Sequence, residues 1–239
     1  AALHHDNDKD DKARSEIETF HRHLTEIKIL DPACGSANFL YVALARLKEL
    51  EAEVLDLFEE LGGNKMFEMD EHKVRPSQFL GLEVNSRATA IAQLVLWIGY
   101  FQWHHKTTGT ADTNDRPLLP KQVTIQNRDA ILDYDDRIPR KDPDTGEFLT
   151  IWDGITTKPH PVTGKEVPDE SVTIPVYDYS NPRRAEWPEA DYIVGNPPFI
   201  GTSRMRDALG DGYTEALRKV WKKDVPESAD FVMFWWEKA

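Results

Sequence analysis

The stretch Asp31-Pro32-Ala33-Cys34-Gly35-Ser36-Ala37-Asn38-Phe39-Leu40 joins a short apolar segment to a long helical pattern. The segment before it, Ile27-Lys28-Ile29-Leu30, predicts a buried strand that the pair Asp31-Pro32 ends. After it, apolar residues recur at helical spacings as far as Leu61, and Gly62-Gly63 is a helix stop signal. A strand, a tight turn and a helix in this order predict the start of a βαβ unit.

The same rhythm continues along the chain. Later strands are predicted at Phe79-Leu80-Gly81-Leu82, Val123-Thr124-Ile125 and Tyr192-Ile193-Val194. The segment Ala88–Trp103 is apolar nearly all round, which predicts a helix buried between the sheet and another layer. Strands that alternate with helices predict an α/β fold with a doubly wound, mostly parallel sheet.

Residues 135–191 break this alternation and hold much of the proline in the chain. Within them, Phe148–Trp152 and Val172–Tyr177 predict two strands, so we expect a β-hairpin inserted at about residues 136–190. Two further helices, at about 212–222 and 228–238, are predicted to close the chain.

The N-terminal residues differ in composition from the rest. Residues 1–14 are polar without an apolar period and predict a frayed lead-in, and a short amphipathic helix is predicted from Ser15. We therefore expect a lead-in and short helix over 1–26 and one core domain over 27–239.

The composition excludes several classes of protein. The chain contains one cysteine, Cys34, which rules out an internal disulfide or a cysteine-based zinc site and predicts a cytoplasmic protein. No apolar run reaches the length of a membrane span, and the first residues lack the features of a signal peptide. The histidines show no paired spacing typical of metal ligands, so no metal is predicted.

Polar residues follow each predicted core strand. Asp31 to Gly35 follow the first, Glu83 the second, Asp129 the third and Asn196 the fourth. Because the carboxyl ends of parallel strands meet at one edge of a sheet, we expect these residues to line one crevice.

The turn that starts at Asp31 favours a cofactor without a pyrophosphate. It contains a single glycine, Gly35, rather than the G-x-G-x-x-G fingerprint, so a nicotinamide oxidoreductase is disfavoured. S-adenosylmethionine fits better, because its ammonium group can bind Asp31 and its carboxylate can bind the amides that open the helix. Glu83 could then accept both ribose hydroxyls, and Asp129 the amino group of the cofactor adenine.

Two motifs resemble those of a known family. DPACGSANFL resembles the first motif of the amino-methylating DNA methyltransferases, and Asn196-Pro197-Pro198-Phe199 is similar to their fourth, (D/N/S)-P-P-(Y/F/W). Their order matches the group that methylates adenine N6. The segment before Glu83 and the ending from Ser228 look most like the large type IIG restriction-modification enzymes.

The resemblance implies a class I, Rossmann-like catalytic core that transfers a methyl group from S-adenosylmethionine to DNA, in a restriction-modification or phage-defence context. It implies that the core is truncated at its C-terminus, with target-recognition and nuclease domains possible in a longer parent chain. The catalytic residues it implies are Asn196, Pro197, Pro198 and Phe199. The cofactor-binding residues are Asp31, Pro32, Ala33, Cys34, Gly35, Asn38, Phe39, Glu83 and Asp129.

The chain departs from the family pattern at two points. Ala37 stands where the family usually has glycine, which makes the loop more crowded. Glu83 lies more than twice as far from Asp31 as the ~20 residues of a plain nucleotide-binding unit. We ascribe this to the long helix and to a loop from Gly62 to Arg75.

Asn196-Pro197-Pro198-Phe199 suits the chemistry of an amine acceptor. The Asn196 side-chain oxygen and the Pro197 carbonyl can accept the two amino protons, which favours the geometry that lets the nitrogen lone pair attack. Phe199 can stack on an adenine flipped out of double-stranded DNA. The alternative is a structural turn with Phe199 in the core.

The net charge of −13 argues against a protein that lies on nucleic acid over its whole surface. The locally basic stretch Ser203–Lys223 is the expected contact with DNA phosphates.

Two alternatives stay open: the same chemistry on RNA adenine or on a protein glutamine, and a module that binds the cofactor without catalysis. We expect Cys34 to be a packed small residue rather than a nucleophile, and Trp235-Trp236 to lie in the core or an interface.

Overall fold

The computed structural model describes residues 2–63, 73–108 and 124–239. Within these ranges the α-helices are α1 (Ala2–Glu26), α2 (Asn38–Glu60), α3 (Ser86–Thr108), α4 (Met205–Leu209), α5 (Asp211–Trp221) and α6 (Val232–Lys238). The strands are β1 (Ile29–Asp31), β2 (Phe79–Glu83), β3 (Ile125–Asn127), β4 (Leu132–Asp133), β5 (Asp136–Pro139), β6 (Thr150–Trp152), β7 (Thr157–Pro159), β8 (Glu166–Pro168), β9 (Thr173–Pro175), β10 (Tyr177–Ser180), β11 (Arg183–Arg184) and β12 (Tyr192–Ile193).

The chain forms two compact units. The first contains Ala1–Arg128 and Trp187–Asn196, and the second contains Asp129–Glu186 and Pro197–Ala239. The sequence predicted one core domain over 27–239, which stays a prediction; within it, Asp129–Glu186 and Pro197–Ala239 pack mainly among themselves.

A four-stranded parallel sheet organises the first unit, in the order β12-β1-β2-β3. Ile29 pairs with Phe79 and with Tyr192, and Gly81 pairs with Ile125. The predicted parallel sheet is therefore confirmed, whereas the doubly wound class I arrangement stays a prediction. The chain runs outward from β1 to β3 and then returns on the other side of β1. Ligands of open parallel sheets bind at such a reversal, which here lies between β1 and β12.

Apolar side chains from the strands and from α2 and α3 form the core of this unit. Leu40, Phe79 and Ile125 are fully buried, and Leu44 nearly so. Burying each side chain of this size contributes about 1.5–3 kcal/mol. The predicted stripe on α2 is largely confirmed, and the helix ends before Gly62, which takes a left-handed conformation (φ 81°).

Two helices differ from their predictions. The predicted lead-in over residues 1–14 is wrong, because α1 is helical from Ala2. Extending a helix that is already anchored costs far less than nucleating one, and Lys12 forms an i,i+4 pair with Glu16 that supports the extension. The prediction that α3 is buried on all sides is also wrong, since Leu94 is 60% exposed.

The predicted insertion is a long antiparallel arm in the second unit. Its pairs are nested: β5 pairs with β10, β6 with β9 and β7 with β8. The two predicted strands correspond to β6 and β9, with Ile151 opposite Ile174. The outer pair and the tip pair were missed, because their strands are only three or four residues long and β5, β7 and β8 end in proline. From residue 141 to 175 no side chain is buried, so ladder hydrogen bonds hold the arm together.

The rest of the second unit packs around aromatic side chains. Phe234 contacts both Trp221 and Phe231, and Trp221 donates its indole N–H to the carbonyl of Ile131. Helices α5 and α6 match the two predicted closing helices. Trp235 is buried as predicted for a core residue, whereas Trp236 is 78% exposed.

Two sequence expectations fall partly on residues 64–72 and 109–123, which lie outside the described ranges. These are the loop from Gly62 to Arg75 and the start of the third strand at Val123. Among the helices that the structure describes, none has a long enough apolar stretch to cross a membrane.

Candidate functional site

Asp31 ends the central strand β1 with its side chain buried, at 1% exposure. Its Oδ1 accepts the N–H of Ala33 at 3.0 Å. Its Oδ2 is buried and has no hydrogen-bond partner among the described residues. Burial raises the pKa of Asp31 from 3.8 to about 6; the Ala33 amide opposes this rise and the Glu83 carboxylate adds to it. Asp31 is therefore a desolvated acid with one unused acceptor.

The turn after Asp31 is fixed by backbone hydrogen bonds. The N–H of Cys34 donates to the carbonyl of Leu82 on β2 at 3.1 Å, and that of Ala37 donates to the Cys34 carbonyl at 2.7 Å. Gly35 and Ala37 both have left-handed backbone angles (φ 53° and 67°). Glycine takes this conformation freely, whereas alanine is strained there, by about 1 kcal/mol. The crowding expected at Ala37 is thus a backbone strain at the start of α2.

Cys34 is packed under the turn, as the sequence predicted. Its Sγ would lie 2.7 Å from a Cβ added at Gly81, so β2 can pass only because residue 81 lacks a side chain. Burial, Asp31 and Glu83 together raise the pKa of the thiol to about 12. The thiol is neutral at physiological pH and unsuited to act as a nucleophile.

Glu83 reaches the same turn from the end of β2. Its Oε2 accepts the N–H of Gly35 at 3.0 Å, and its Oε1 accepts that of Asn85 at 2.8 Å. The structure thus brings Glu83 to the loop at Asp31, as expected for the ends of parallel strands. The long segment of chain between Asp31 and Glu83 therefore does not keep the two residues apart in space.

Asn196 follows β12 on the other side of β1. The N–H of Val194 donates to the Leu30 carbonyl at 2.9 Å, which continues the pairing beyond β12. A Cβ at Gly195 would lie 2.6 Å from Asp31 Oδ1. The backbone before Asn196 therefore passes directly over the Asp31 carboxylate, and only glycine fits there. The sequence analysis gave Gly195 no role, although a glycine between a strand and a candidate catalytic residue is a usable signal.

The remaining residues of the implied cofactor loop have varied exposure. Pro32 is buried and Ala33 half-buried, whereas Asn38 and Phe39 are exposed at the start of α2. Their part in cofactor binding stays a prediction.

Asp129 lies in the second unit and is already engaged. Its Oδ1 accepts the N–H groups of Ile131 and Leu132 at 2.7 and 3.0 Å. Its Oδ2 accepts the hydroxyl of Tyr213 at 2.6 Å. Burial and the Asp129 carboxylate raise the pKa of Tyr213 well above its usual value, so the hydroxyl stays a donor. Tyr213 was missed, because nothing local in the sequence links it to a residue so distant along the chain.

Pro197, Pro198 and Phe199 also belong to the second unit. Phe199 is 75% exposed, so the alternative that it is a core residue is wrong. An exposed aromatic ring next to two prolines is available to contact a planar ligand.

The basic stretch after this motif is only partly free to bind anions. The guanidinium of Arg206 pairs with Asp211 at 2.6 Å and with Glu215 at 3.3 Å. Glu215 also binds Arg140 at 2.8 Å. The exposed cations of this stretch outside these pairs are Arg204, Lys219, Lys222 and Lys223. Arg218 is half-buried.

Comparison with known proteins gives consistent matches. The family model of the MmeI DNA-methyltransferase domain matches residues 5–239. DNA methyltransferase A of Bacillus subtilis (strain 168) is 32% identical over 106 residues, which are 44% of this chain and 12% of that protein. The structure of the type IIL restriction-modification enzyme MmeI in complex with DNA is 22% identical, with a TM-score of 0.58, over 94% of this chain and 24% of the other. The chain therefore spans a small part of the length of either relative.

Proposed function

The chain belongs to the family of MmeI DNA-methyltransferase domains, and from this premise we propose that it transfers a methyl group from S-adenosylmethionine to N6 of adenine in DNA. Family membership confirms the resemblance found in the DPACGSANFL and Asn196-Pro197-Pro198-Phe199 motifs. The methyl donor, the adenine acceptor and the restriction-modification context are parts of the proposal.

The observation that carries the proposal is the unpartnered Oδ2 of Asp31 at the reversal of the strand order. A buried carboxylate oxygen is costly unless a donor or a cation meets it. The ammonium group of S-adenosylmethionine is a donor of this kind. Its carboxylate can accept from the free amides at the start of α2, where the helix dipole favours an anion.

The other cofactor contacts follow from unused acceptor capacity. A carboxylate has about four acceptor positions, and Glu83 uses two of them for the amides of Gly35 and Asn85. The remaining positions of Glu83 are assigned to the ribose hydroxyls. Asp129 uses three positions, and the last is assigned to the adenine amino group of the cofactor.

The catalytic role falls to Asn196 and the residues after it. Bound S-adenosylmethionine supplies an activated methyl group on a good leaving group. The Asn196 amide oxygen and the Pro197 carbonyl hold the two protons of the acceptor amine, which turns the nitrogen lone pair toward the methyl carbon. Two consecutive prolines limit the freedom of the loop and so keep these acceptors in place. As the new N–C bond forms, the bond between the methyl carbon and the sulfonium sulfur would break, the neutral thioether product would leave, and the amine would release one proton to solvent.

Phe199 is assigned to the acceptor base. Its exposed ring can stack on a flipped adenine, an interaction worth about 1–3 kcal/mol. DNA is the favoured acceptor because MmeI, the structural relative, was solved in complex with DNA.

The test is methyl transfer by Asn196 and Phe199 variants under single-turnover conditions. Asn196→Ala should slow transfer by on the order of 100-fold or more and leave S-adenosylmethionine affinity unchanged, because Asn196 acts on the amine in the transition state. Asn196→Asp should keep part of the rate, since a carboxylate is also an acceptor. Phe199→Ala should weaken capture of the base.

Mispairing the target adenine lowers the cost of flipping and separates these roles. It should rescue Phe199→Ala in part and Asn196→Ala not at all. Phe148→Ala, which removes another exposed phenylalanine, is the matched control and should behave as wild type. An active Asn196→Ala variant, or methylation of RNA or glutamine peptides in preference to DNA, would refute the proposal.

A further inference from the structure

Arg218 is a half-buried cation that has no acidic partner among the described residues. It lies in the last turn of α5, and its Nη2 donates to the hydroxyl oxygen of Thr202 at 3.3 Å. Its Nε is buried and makes no hydrogen bond within the described part of the chain. Nor does any carboxylate in those ranges pair with its guanidinium. Burying a charged N–H donor without a hydrogen-bond acceptor destabilises the folded state, so this arrangement needs an explanation.

The chain does not lack acids that could pair with it. Asp and Glu outnumber Lys and Arg by 42 to 29. Arg206 and Arg140, in the same unit, both bind Glu215, which lies one turn from Arg218 on α5. The dipole at the end of α5 favours a cation there, but it leaves the Nε–H group without an acceptor.

The contacts of Arg218 tie it to the loop that follows Phe199. The N–H of Thr202 donates to Asp230 at 2.9 Å, and its hydroxyl donates to the carbonyl of Glu227 at 3.0 Å. The Thr202 hydroxyl therefore presents its lone pair to Arg218 in a fixed direction. Three residues of chain span about 10 Å at most, so Arg218 is held close to the motif that ends at Phe199.

We propose that Arg218 binds a backbone phosphate of the nucleic-acid strand, beside the nucleotide whose base contacts Phe199. A guanidinium with free donors matches a phosphate bidentately, and Thr202 orients it. The exposed Arg204, two residues beyond Thr202, adds positive charge that can attract the same phosphate. The inference rests on the proposed function, because it takes DNA as the acceptor.

The test measures how salt affects binding of the 239-residue chain to a duplex oligonucleotide with one mispaired adenine. Each phosphate contact contributes about 0.9 to the slope of log K against log salt. Arg218→Gln should make the negative slope shallower by about 0.9 and weaken binding about tenfold. Arg218→Lys should keep the wild-type slope. Arg206→Gln removes the same charge from a guanidinium already paired with acids, and its slope should equal that of wild type.

A second measurement locates the contact. Replacing single phosphates near the mispaired adenine by neutral methylphosphonates should weaken wild-type binding at one position. At that position Arg218→Gln should show no further loss, whereas Arg206→Gln should lose as much as wild type. If Arg218 had only a structural role, the methylphosphonate at that position would cause the same loss of duplex affinity in every variant.

The outcomes separate this inference from the proposed function. S-adenosylmethionine affinity is measured on the same samples and should be equal in all of them. If wild type binds cofactor and duplex but Arg218→Gln keeps its slope and its methylphosphonate profile, the inference alone is overturned. If wild type binds neither, both fail. Should Arg218→Gln not fold, a wild-type methylphosphonate scan in which no single position weakens binding would overturn the inference.

Discussion

The buried carboxyl group of Asp31 lowers the stability of the free protein, and the same group is proposed to bind the cofactor. The Asp31 carboxyl group is buried, and its pKa of about 6 means that at neutral pH the group is charged, while no donor within the described ranges reaches its Oδ2. In the unfolded chain water solvates this carboxylate, so its charge carries no desolvation cost. Below pH 3.8 the group is protonated in both states. As pH rises from about 4 to 6 the native state retains a proton that the unfolded chain has lost, so stability falls; above 6 the loss is constant.

Asp31→Asn should therefore stabilise the free protein and weaken cofactor binding. The stability advantage of the variant should grow by about 1–2 kcal/mol between pH 5 and pH 8, because only wild type pays for the charge there. Its S-adenosylmethionine affinity at pH 8 should fall about tenfold or more, since a charge-assisted hydrogen bond is lost. Urea unfolding at both pH values and calorimetric titration check the two effects.

Asp10→Asn is the matched control, because Asp10 is an exposed aspartate on α1. This variant should bind S-adenosylmethionine as tightly as wild type at pH 8. The role given to Asp31 fails if Asp31→Asn binds S-adenosylmethionine as tightly as wild type at pH 8.

At the scale of elements, α1, α2 and the segment before β2 meet around a buried charge network. Lys48 and Glu51, both 2% exposed, lie one turn apart on α2 with Nζ 2.7 Å from Oε2. Glu51 Oε1 accepts the N–H of Val74 at 2.7 Å, and His21 Nε2 lies 3.7 Å away. Burial pushes the pKa of Glu51 up, but His21, Lys48 and the Val74 amide together lower it. Lys48 also lies over the ring of Trp103.

Breaking this network should cost far more than breaking an exposed pair of the same spacing. Glu51→Met leaves the Lys48 ammonium buried and unpaired, and should lower the free energy of unfolding by about 3–5 kcal/mol. The double variant Lys48→Met/Glu51→Met should be more stable than Glu51→Met alone, because it removes the orphaned charge. Urea unfolding of the full cycle measures the coupling between the two residues.

Arg46 and Glu49 provide the comparison on the same helix. They have the same i,i+3 spacing and a 2.7 Å contact, but both are exposed. Glu49→Met should cost no more than about 0.5 kcal/mol. If Glu49→Met and Glu51→Met were equally destabilising, burial would not be the cause.

For the molecule as a whole, the charge balance opposes binding to DNA. The net charge is −13, and Arg206 and Arg140, which lie in the same unit as Phe199, already bind acids. Few cations therefore remain to displace counterions from phosphates. This is the reason to expect weak contact with DNA from these residues alone.

The 239-residue chain should methylate duplex DNA weakly. Duplex binding measurable at about 50 mM salt should be largely lost by about 200 mM, since the few phosphate contacts carry most of the affinity. S-adenosylmethionine affinity should change little over the same range and shows that the fold is intact. Sequence-specific methylation that persists at 200 mM salt would contradict this expectation.

The sequence by itself determined the βαβ start over residues 27–61, the parallel strands, the Asn-Pro-Pro-Phe motif after the fourth strand and the family resemblance. These depend on local signals: strand and helix periods, turn residues and short motifs. The tertiary structure decided the rest, because distant residues had to meet. Only it placed Gly195 over Asp31, gave Asp129 the hydroxyl of Tyr213, and nested the strands of the arm. Only it showed that no acid in the described ranges pairs with Arg218, because sequence periodicity predicts which face of a helix a residue occupies but not which side chain contacts it.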